Sequence, residues 1–180
     1  MYMDYRKDLN TGDAILVNFV NLSEPENENV RVWRNHESIR KWMYQEHEIS
    51  RQEHSAFLAG LRDDTKNYYW LVKTAANEYV GVVSINRLDI ANRNAYLGIY
   101  ANPEVRVKGA GKLLIHCLKY IAFEFIKLHT LKLEVIATNE RTVGFYRHSG
   151  FRDEGVLREF VYKESRWLDV FIMGMINGEK

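Results

Sequence analysis

The stretch VRVKGAGKLL, Val105 to Leu114, does more than any other to limit how this chain can fold. Gly109 and Gly111 stand two apart, with Arg106, Lys108 and Lys112 around them. A strand-like run, Ala95 to Ala101, leads in, and a long amphipathic helix pattern, Leu113 to Leu128, leads out. The first turn of a helix holds four N–H groups without intrahelical partners and about half a unit of positive charge. Glycine there removes the Cβ atoms that would keep a ligand off the backbone. Such a corner suits a phosphate or pyrophosphate. The plainer reading of the glycines alone is a loop that needs permissive backbone angles. Two common phosphate loops fail. A Walker loop would put its first glycine on Arg106 and its hydroxyl on Leu113, and a dinucleotide fingerprint would need glycine where Leu114 stands. What remains is R-x-x-G-x-G: Arg106, Gly109 and Gly111.

The corner sits within a regular alternation of elements. AILVNFVNL, Ala14 to Leu22, reads as the first strand, bounded by Gly12-Asp13 and by Ser23-Glu24-Pro25. Val30, Trp33, Ile39, Trp42 and Met43 suit one or two short helices with a break near Asn35-His36. Ser50 and Glu53 form a capping box before a helix from Arg51 to Leu61. Strands are expected at Tyr68–Lys73, Glu78–Leu88 and Asn94–Tyr100, and again at Leu131–Ile136 after the helix of about 18 residues. Asn139 is the N-cap and Gly150 the stop of a further helix. Glu159–Tyr162 and Trp167–Met175 close a hairpin across Lys163-Glu164-Ser165. The order is that of an α/β or α+β domain with a mixed central sheet.

The 180 residues are 46% hydrophobic, carry two prolines and have no flexible linker or repeat, so one globular domain is expected over 1–180. A net charge of +1 argues against nucleic acid as a partner. Cys117 is the single cysteine and reads as a buried thiol. The opening MYMDYRKDLN has no apolar core of a signal peptide, and no run reaches membrane-spanning length, so a cytoplasmic protein with no membrane partner is expected. The six histidines show no paired ligand spacing, so no metal is expected.

The glycine corner with its surroundings, YANPEV before it and TNERTVGFYRHSGF after the next helix and strand, resembles the GCN5-related N-acetyltransferase superfamily. That resemblance covers roughly Tyr68 to Met175 and implies an acyl-CoA N-acyltransferase fold. Residues 1–66 would form the acceptor side and 67–180 the acetyl-CoA-binding core. In such proteins two neighbouring strands splay apart, and the pantetheine arm of acetyl-coenzyme A lies between them. The resemblance implies pantetheine contacts at Ile99, Tyr100, Ala101 and Asn139. It implies a pyrophosphate cradle of Arg106, Val107, Lys108, Gly109, Ala110, Gly111 and Lys112. Val107 and Lys108 depart from the commoner Arg/Gly pair and make the loop slightly stiffer.

Acetyl transfer from a thioester to an amine needs a neutral amine, a stabilised carbonyl oxygen and a proton for the leaving thiolate. The resemblance implies Tyr146 as the acid at the sulfur, whereas spacing alone makes it an aromatic packed between Phe145 and Phe151. Glu134 shares a strand face with Lys132 and Ile136 and is the candidate base, or else an ordinary solvated glutamate. Ser84 interrupts the run VGVVSI; it holds a water for that base or bonds a neighbouring backbone group. Backbone N–H groups near Tyr100 are expected to serve the oxyanion.

A closer resemblance rests on RNH…IRKWMY, the following EIS–EH segment, YYWLVK, YVGVVSINRLD and YLGIY, and spans roughly Val32 to Met175. These residues look like the UDP-4-amino-4,6-dideoxy-N-acetyl-β-L-altrosamine N-acetyltransferase family, which acts on the route to pseudaminic acid and feeds flagellin glycosylation. The resemblance implies a nucleotide-sugar acceptor and transfer without a covalent enzyme intermediate. Arg34, His54 and Arg87 are expected at the nucleotide, Asn86 and Tyr100 at the strand ends facing the same cleft, and Met43 and Tyr44 beside the sugar. Two rivals stand: an acetyltransferase of protein N-termini or ribosomal proteins, and a non-catalytic coenzyme-A-binding module.

Overall fold

The computed structural model describes residues 4–179; Lys180 and the first three residues of MYMDYRKDLN lie outside the described residues. One sheet organises the chain. Its strands are β1 (Leu9–Asn10), β2 (Ala14–Asn18), β3 (Tyr68–Thr74), β4 (Tyr79–Asp89), β5 (Asn94–Ala101), β6 (Thr130–Ile136), β7 (Arg152–Lys163) and β8 (Arg166–Ile176). They lie in the order β1-β2-β3-β4-β5-β6-β8-β7. Every neighbouring pair is antiparallel except β5 and β6.

Alternation along β4 feeds two cores. Val83 and Ile85 face a cluster with Leu114, Leu118 and Ile121 of the long helix. Val82 faces the other side, with Val30, Trp33 and Ile39. The helices α1 (Glu24–Asn35), α2 (Glu37–Arg40) and α3 (Arg51–Gly60) belong to that second side. The first side holds α4 (Ala110–Lys119) with its π-helical continuation Tyr120–Phe125, and α5 (Glu140–His148). Trp33 and Trp70 are fully buried, one in each cluster. Burial of a large apolar side chain contributes about 1.5–3 kcal/mol.

Four boundaries differ from the sequence expectation; one is α2, which stops at Arg40 and leaves Trp42 and Met43 in an irregular loop. The first strand ends at Asn18, not Leu22, because the Asn18 side chain accepts the Val20 N–H and opens a 3-10 turn over Phe19–Asn21. Ser23-Glu24-Pro25 is a helix start and not a turn. The Glu26 carboxylate accepts the Ser23 N–H at 2.9 Å and pairs with Lys73 on β3 at 2.5 Å, so α1 begins well before Val30. At the far end, β7 begins at Arg152, and Lys163 belongs to the strand. The turn is Glu164-Ser165 alone, both at positive φ (50° and 60°), as a tight two-residue hairpin requires.

The feature that positions the site is a gap. β5 and β6 pair only at Asn94–Thr130, Ala95–Leu131 and Tyr96–Lys132. Beyond that point β5 stays on β4 as far as Ala101, and β6 stays on β8 as far as Ile136. The two strands therefore diverge, and the backbone of Leu97–Ala101 lacks a partner on its β6 side.

Candidate active site

The open end of the sheet leads to the glycine corner. Gly109 has φ +79°, a left-handed conformation that glycine adopts without strain, and it is the N-cap of α4. Gly111 has a different reason: a Cβ there would meet the Phe145 ring at 3.2 Å, so its lack of a side chain lets α4 and α5 close up. The Ala110 N–H is already bonded to Val107 O at 3.1 Å. That removes one donor from the expected cradle and leaves the first-turn amides of Gly111 and Lys112. Arg106, Lys108 and Lys112 are exposed around them. Trp33 steadies the approach to the corner from α1, its indole N–H donating to Glu104 at 3.0 Å.

A cavity of about 500 Å³ occupies the gap. β5 supplies Tyr96, Gly98 and Ile99, and β6 supplies Glu134 and Ile136. Asn139 and Tyr146 close one side. The Asn139 side-chain oxygen accepts the Thr142 N–H and so caps α5. Tyr146 is buried against Phe151 and beside Phe145, and among the described residues no hydrogen bond reaches its hydroxyl. Burial raises its pKa well above the ordinary tyrosine value, so it keeps its proton at neutral pH.

The opposite wall comes from an irregular loop. Trp42, Met43, Tyr44 and Gln45 follow α2 and line the same cavity. The Tyr44 hydroxyl donates to Glu134 Oε2 at 2.8 Å, and Arg87 donates to Glu134 Oε1 at 2.6 Å. Glu134 is thus not a free solvated carboxylate. It is held from two sides, and its side chain is 14% exposed against 60% for Arg87. Arg87 reaches it because the β4–β5 register slips between Asn86 and Asp89 and Arg87 takes φ +51°. Its guanidinium lies 4.7 Å over the Tyr96 ring. The bond to Glu134 raises the Arg87 pKa, and burial, then Glu134, raises that of Tyr44. Ser84 does not line this cavity. It is buried opposite Gly98, where a Cβ would come within 2.4 Å of its hydroxyl, and it accepts a bond from Asn86 at 2.9 Å. Asn86 does face the cavity, so Ser84 stands one layer behind.

Arg34 and Gln45 are shared with a second cavity of about 440 Å³, lined also by His54, Phe57, Tyr69 and Tyr100. Arg34 is half-buried, and burial lowers its pKa; only Tyr100 and Tyr69 pull the other way, and among the described residues no carboxylate pairs with it. His54 is buried, with its Nε2 unpartnered among the described residues, and burial lowers its pKa. Of the expected acceptor-side residues, Arg34, Met43, Tyr44, Asn86 and Arg87 line the inner cavity and Arg34, His54 and Tyr100 the second, with Arg34 common to both. Tyr96, Gly98, Gln45, Phe57 and Tyr69 line these cavities too, and none of them is singled out in the sequence as a site residue. Face alternation from Tyr100 along β5 is the signal that reaches Tyr96 and Gly98.

The comparisons agree with this geometry. The model of the acetyltransferase (GNAT) family matches residues 32–151. The acetyltransferase PseH of Campylobacter jejuni is 31% identical over 147 residues, 82% of this chain and 90% of that protein. Among solved structures, spermidine N-acetyltransferase from Vibrio cholerae with CoA and spermine superposes with a TM-score of 0.82 at 23% identity, over 92% of this chain and 96% of that one. Campylobacter jejuni PseH with acetyl coenzyme A gives 0.70 at 23% identity, over 92% and 99%. The chain belongs to the acetyltransferase (GNAT) family. It is an acetyl-CoA-dependent N-acetyltransferase. Among the described residues no helix is long and apolar enough to cross a membrane, and no group of side chains is arranged to hold a metal ion.

Proposed function

We propose that the acceptor is a UDP-linked 4-amino-4,6-dideoxy sugar of the pseudaminic acid route, and that its 4-amino group attacks acetyl-CoA directly, with the whole chain acting as one domain. The observation that carries this reading is Arg34. A half-buried guanidinium with no carboxylate partner, at the junction of two cavities, suits an anion far better than a cation. Among the described residues the inner cavity has one carboxylate, Glu134, paired with Arg87, and the second has Glu53, which is engaged by His47 and the Ser50 N–H. A polyamine would meet cations there. A nucleoside diphosphate would meet Arg34 and His54, with Phe57, Tyr69 and Tyr100 beside the base. The sugar would lie inward, with Met43 and Tyr44 against its methyl group and Asn86 and Arg87 at its polar edge.

Acetyl-CoA supplies the activated carbonyl. Its arm fits the bare β5 edge at Ile99, Tyr100 and Ala101, with the Asn139 amide as a further donor, and its pyrophosphate fits Arg106 to Lys112 at the start of α4. Glu134 takes the ammonium proton, directly or through a water, while Arg87 and Tyr44 hold the carboxylate in place. Ser84 orients Asn86. The neutral amine attacks the carbonyl carbon, backbone N–H groups of β5 support the oxyanion, the C–S bond breaks as the Tyr146 hydroxyl gives its proton to sulfur, and the proton shed by the new amide nitrogen goes to solvent, from which the tyrosinate is reprotonated.

Thermal shift and turnover test the acceptor. UDP should stabilise the protein and spermine should not, and thiol release from acetyl-CoA should require the amino-sugar nucleotide. Arg34→Ala should raise the acceptor KM about 10- to 100-fold, the loss of one charged hydrogen-bonding group, and leave acetyl-CoA affinity alone. Rapid turnover of spermine or of a peptide, with no stabilisation by UDP, would overturn the assignment.

A further inference from the structure

The loop from Lys41 to Glu46 has no regular secondary structure, yet it carries four of the residues that line the inner cavity and places Tyr44 on Glu134. What holds it comes from the far end of the chain. Lys163, near the tip of the β7–β8 hairpin, is 5% exposed, and its ammonium donates to Arg40 O at 3.2 Å and to Met43 O at 2.8 Å. Phe160 lies edge-on to the Tyr44 ring, centroids 6.2 Å apart. Trp42 packs on Ile136, Val161, Leu168 and Val170. Glu164 N–H reaches Glu46 at 3.3 Å.

The hairpin is shaped for these contacts. Between Leu157 and Val161 the β7 register slips against β8 by two extra residues, Glu159 takes φ +50°, and its N–H is bonded by Asp169 at 2.8 Å. This bulge is where Phe160 leaves the regular alternation. A buried ammonium is costly unless it is well hydrogen-bonded. Burial indeed lowers the Lys163 pKa; Glu46 and Glu164 oppose that, and Arg34 and Arg40 add to it. The cation stands where a loop offers two main-chain carbonyls that no helix or strand uses.

We propose that Lys163 and Phe160 are positioning residues that clamp the Lys41–Glu46 loop, so that the β7–β8 hairpin sets the acceptor wall and, through Tyr44, the orientation of Glu134. The clamp acts on the acceptor half of the reaction and leaves the donor half untouched. It rests on the acetyl-transfer site and not on which amine is the acceptor.

Lys163→Met and Phe160→Ala test it. Phe160 is half-exposed, so its truncation spares the fold even if the buried lysine cannot be replaced. Three readouts are needed. Limited trypsin digestion should nick Arg40 and Lys41 about tenfold faster in either variant. Calorimetry should give an unchanged acetyl-CoA affinity, which certifies the fold. With whichever amine the wild-type protein turns over, the amino-sugar nucleotide or spermine, kcat/KM for that amine should fall about tenfold while the KM for acetyl-CoA holds. Lys163→Arg, which keeps donors for the two carbonyls, should recover part of the loss. Unchanged nicking and unchanged amine kinetics in Phe160→Ala would overturn the clamp, as would parallel losses in amine and acetyl-CoA kinetics. Failure of the nucleotide-sugar assignment would show instead as spermine turnover, with the clamp effect intact.

Discussion

The donor and acceptor halves of the cleft are built from different materials. On the donor side the groups offered are main-chain: the unpaired edge of β5 beyond Tyr96 and the first-turn amides of α4 behind a left-handed Gly109. On the acceptor side they are side-chain: Arg34 from α1, Tyr44 from an irregular loop, Arg87 from a bulge and Glu134 from β6. Main-chain groups come with the fold and tolerate changes of residue. Side-chain groups are arranged one by one, through partners far off in sequence. The donor half can therefore stay constant across a family while the acceptor half is rebuilt for each amine.

Substitutions that separate the halves sharpen this contrast. The largest effect is expected at the side chain on which departure of the thiolate depends: Tyr146→Phe should lower kcat about 100-fold or more, with acetyl-CoA affinity kept, as pre-steady-state thiol release would show. A fall of less than threefold would mean that the thiolate leaves unaided. Gly109→Val comes next. It forces a branched side chain into φ +79°, and should raise the KM for acetyl-CoA about tenfold while the acceptor KM stays put. Equal changes in both constants would erase the division. The smallest effect is in pH. Burial raises the Tyr146 pKa, so the acid stays protonated through the range where a free tyrosine, at about 10, would begin to ionise. The kcat should then hold within about twofold up to pH 10, measured on rates corrected for base hydrolysis of the thioester. A falling limb below that pH that disappears in Tyr146→Phe would contradict the burial argument.

The same contrast explains what could be read from residues alone. The corner at Gly109 and Gly111, the helix after it, the capped helices and the alternating strands are local patterns, and they stand where periodicity placed them. The family was legible as a resemblance carried by the corner with YANPEV and TNERTVGFYRHSGF, and the divergence of β5 and β6 was what that resemblance implied. Ser23-Glu24-Pro25 was the local failure: the same residues make a good turn and a good helix start, and the buried Lys73 partner of Glu26 decides between them. Lys163 was hidden for a different reason. In sequence it reads as part of a polar turn, and only the fold brings the carbonyls of Arg40 and Met43 to its ammonium. Arg87 was expected at the nucleotide, and nothing local announced that its backbone would turn left-handed and aim it at Glu134.

The unpaired stretch of β5 has a consequence for the protein between turnovers. A bare strand edge invites any extended chain to add to it, including that of another molecule. On the proposed binding mode the coenzyme's own amides would serve as a temporary neighbour, so each catalytic cycle would first mend a split in the sheet and then tear it again. Preparations saturated with coenzyme should for that reason remain dispersed on warming for longer than those stripped of it.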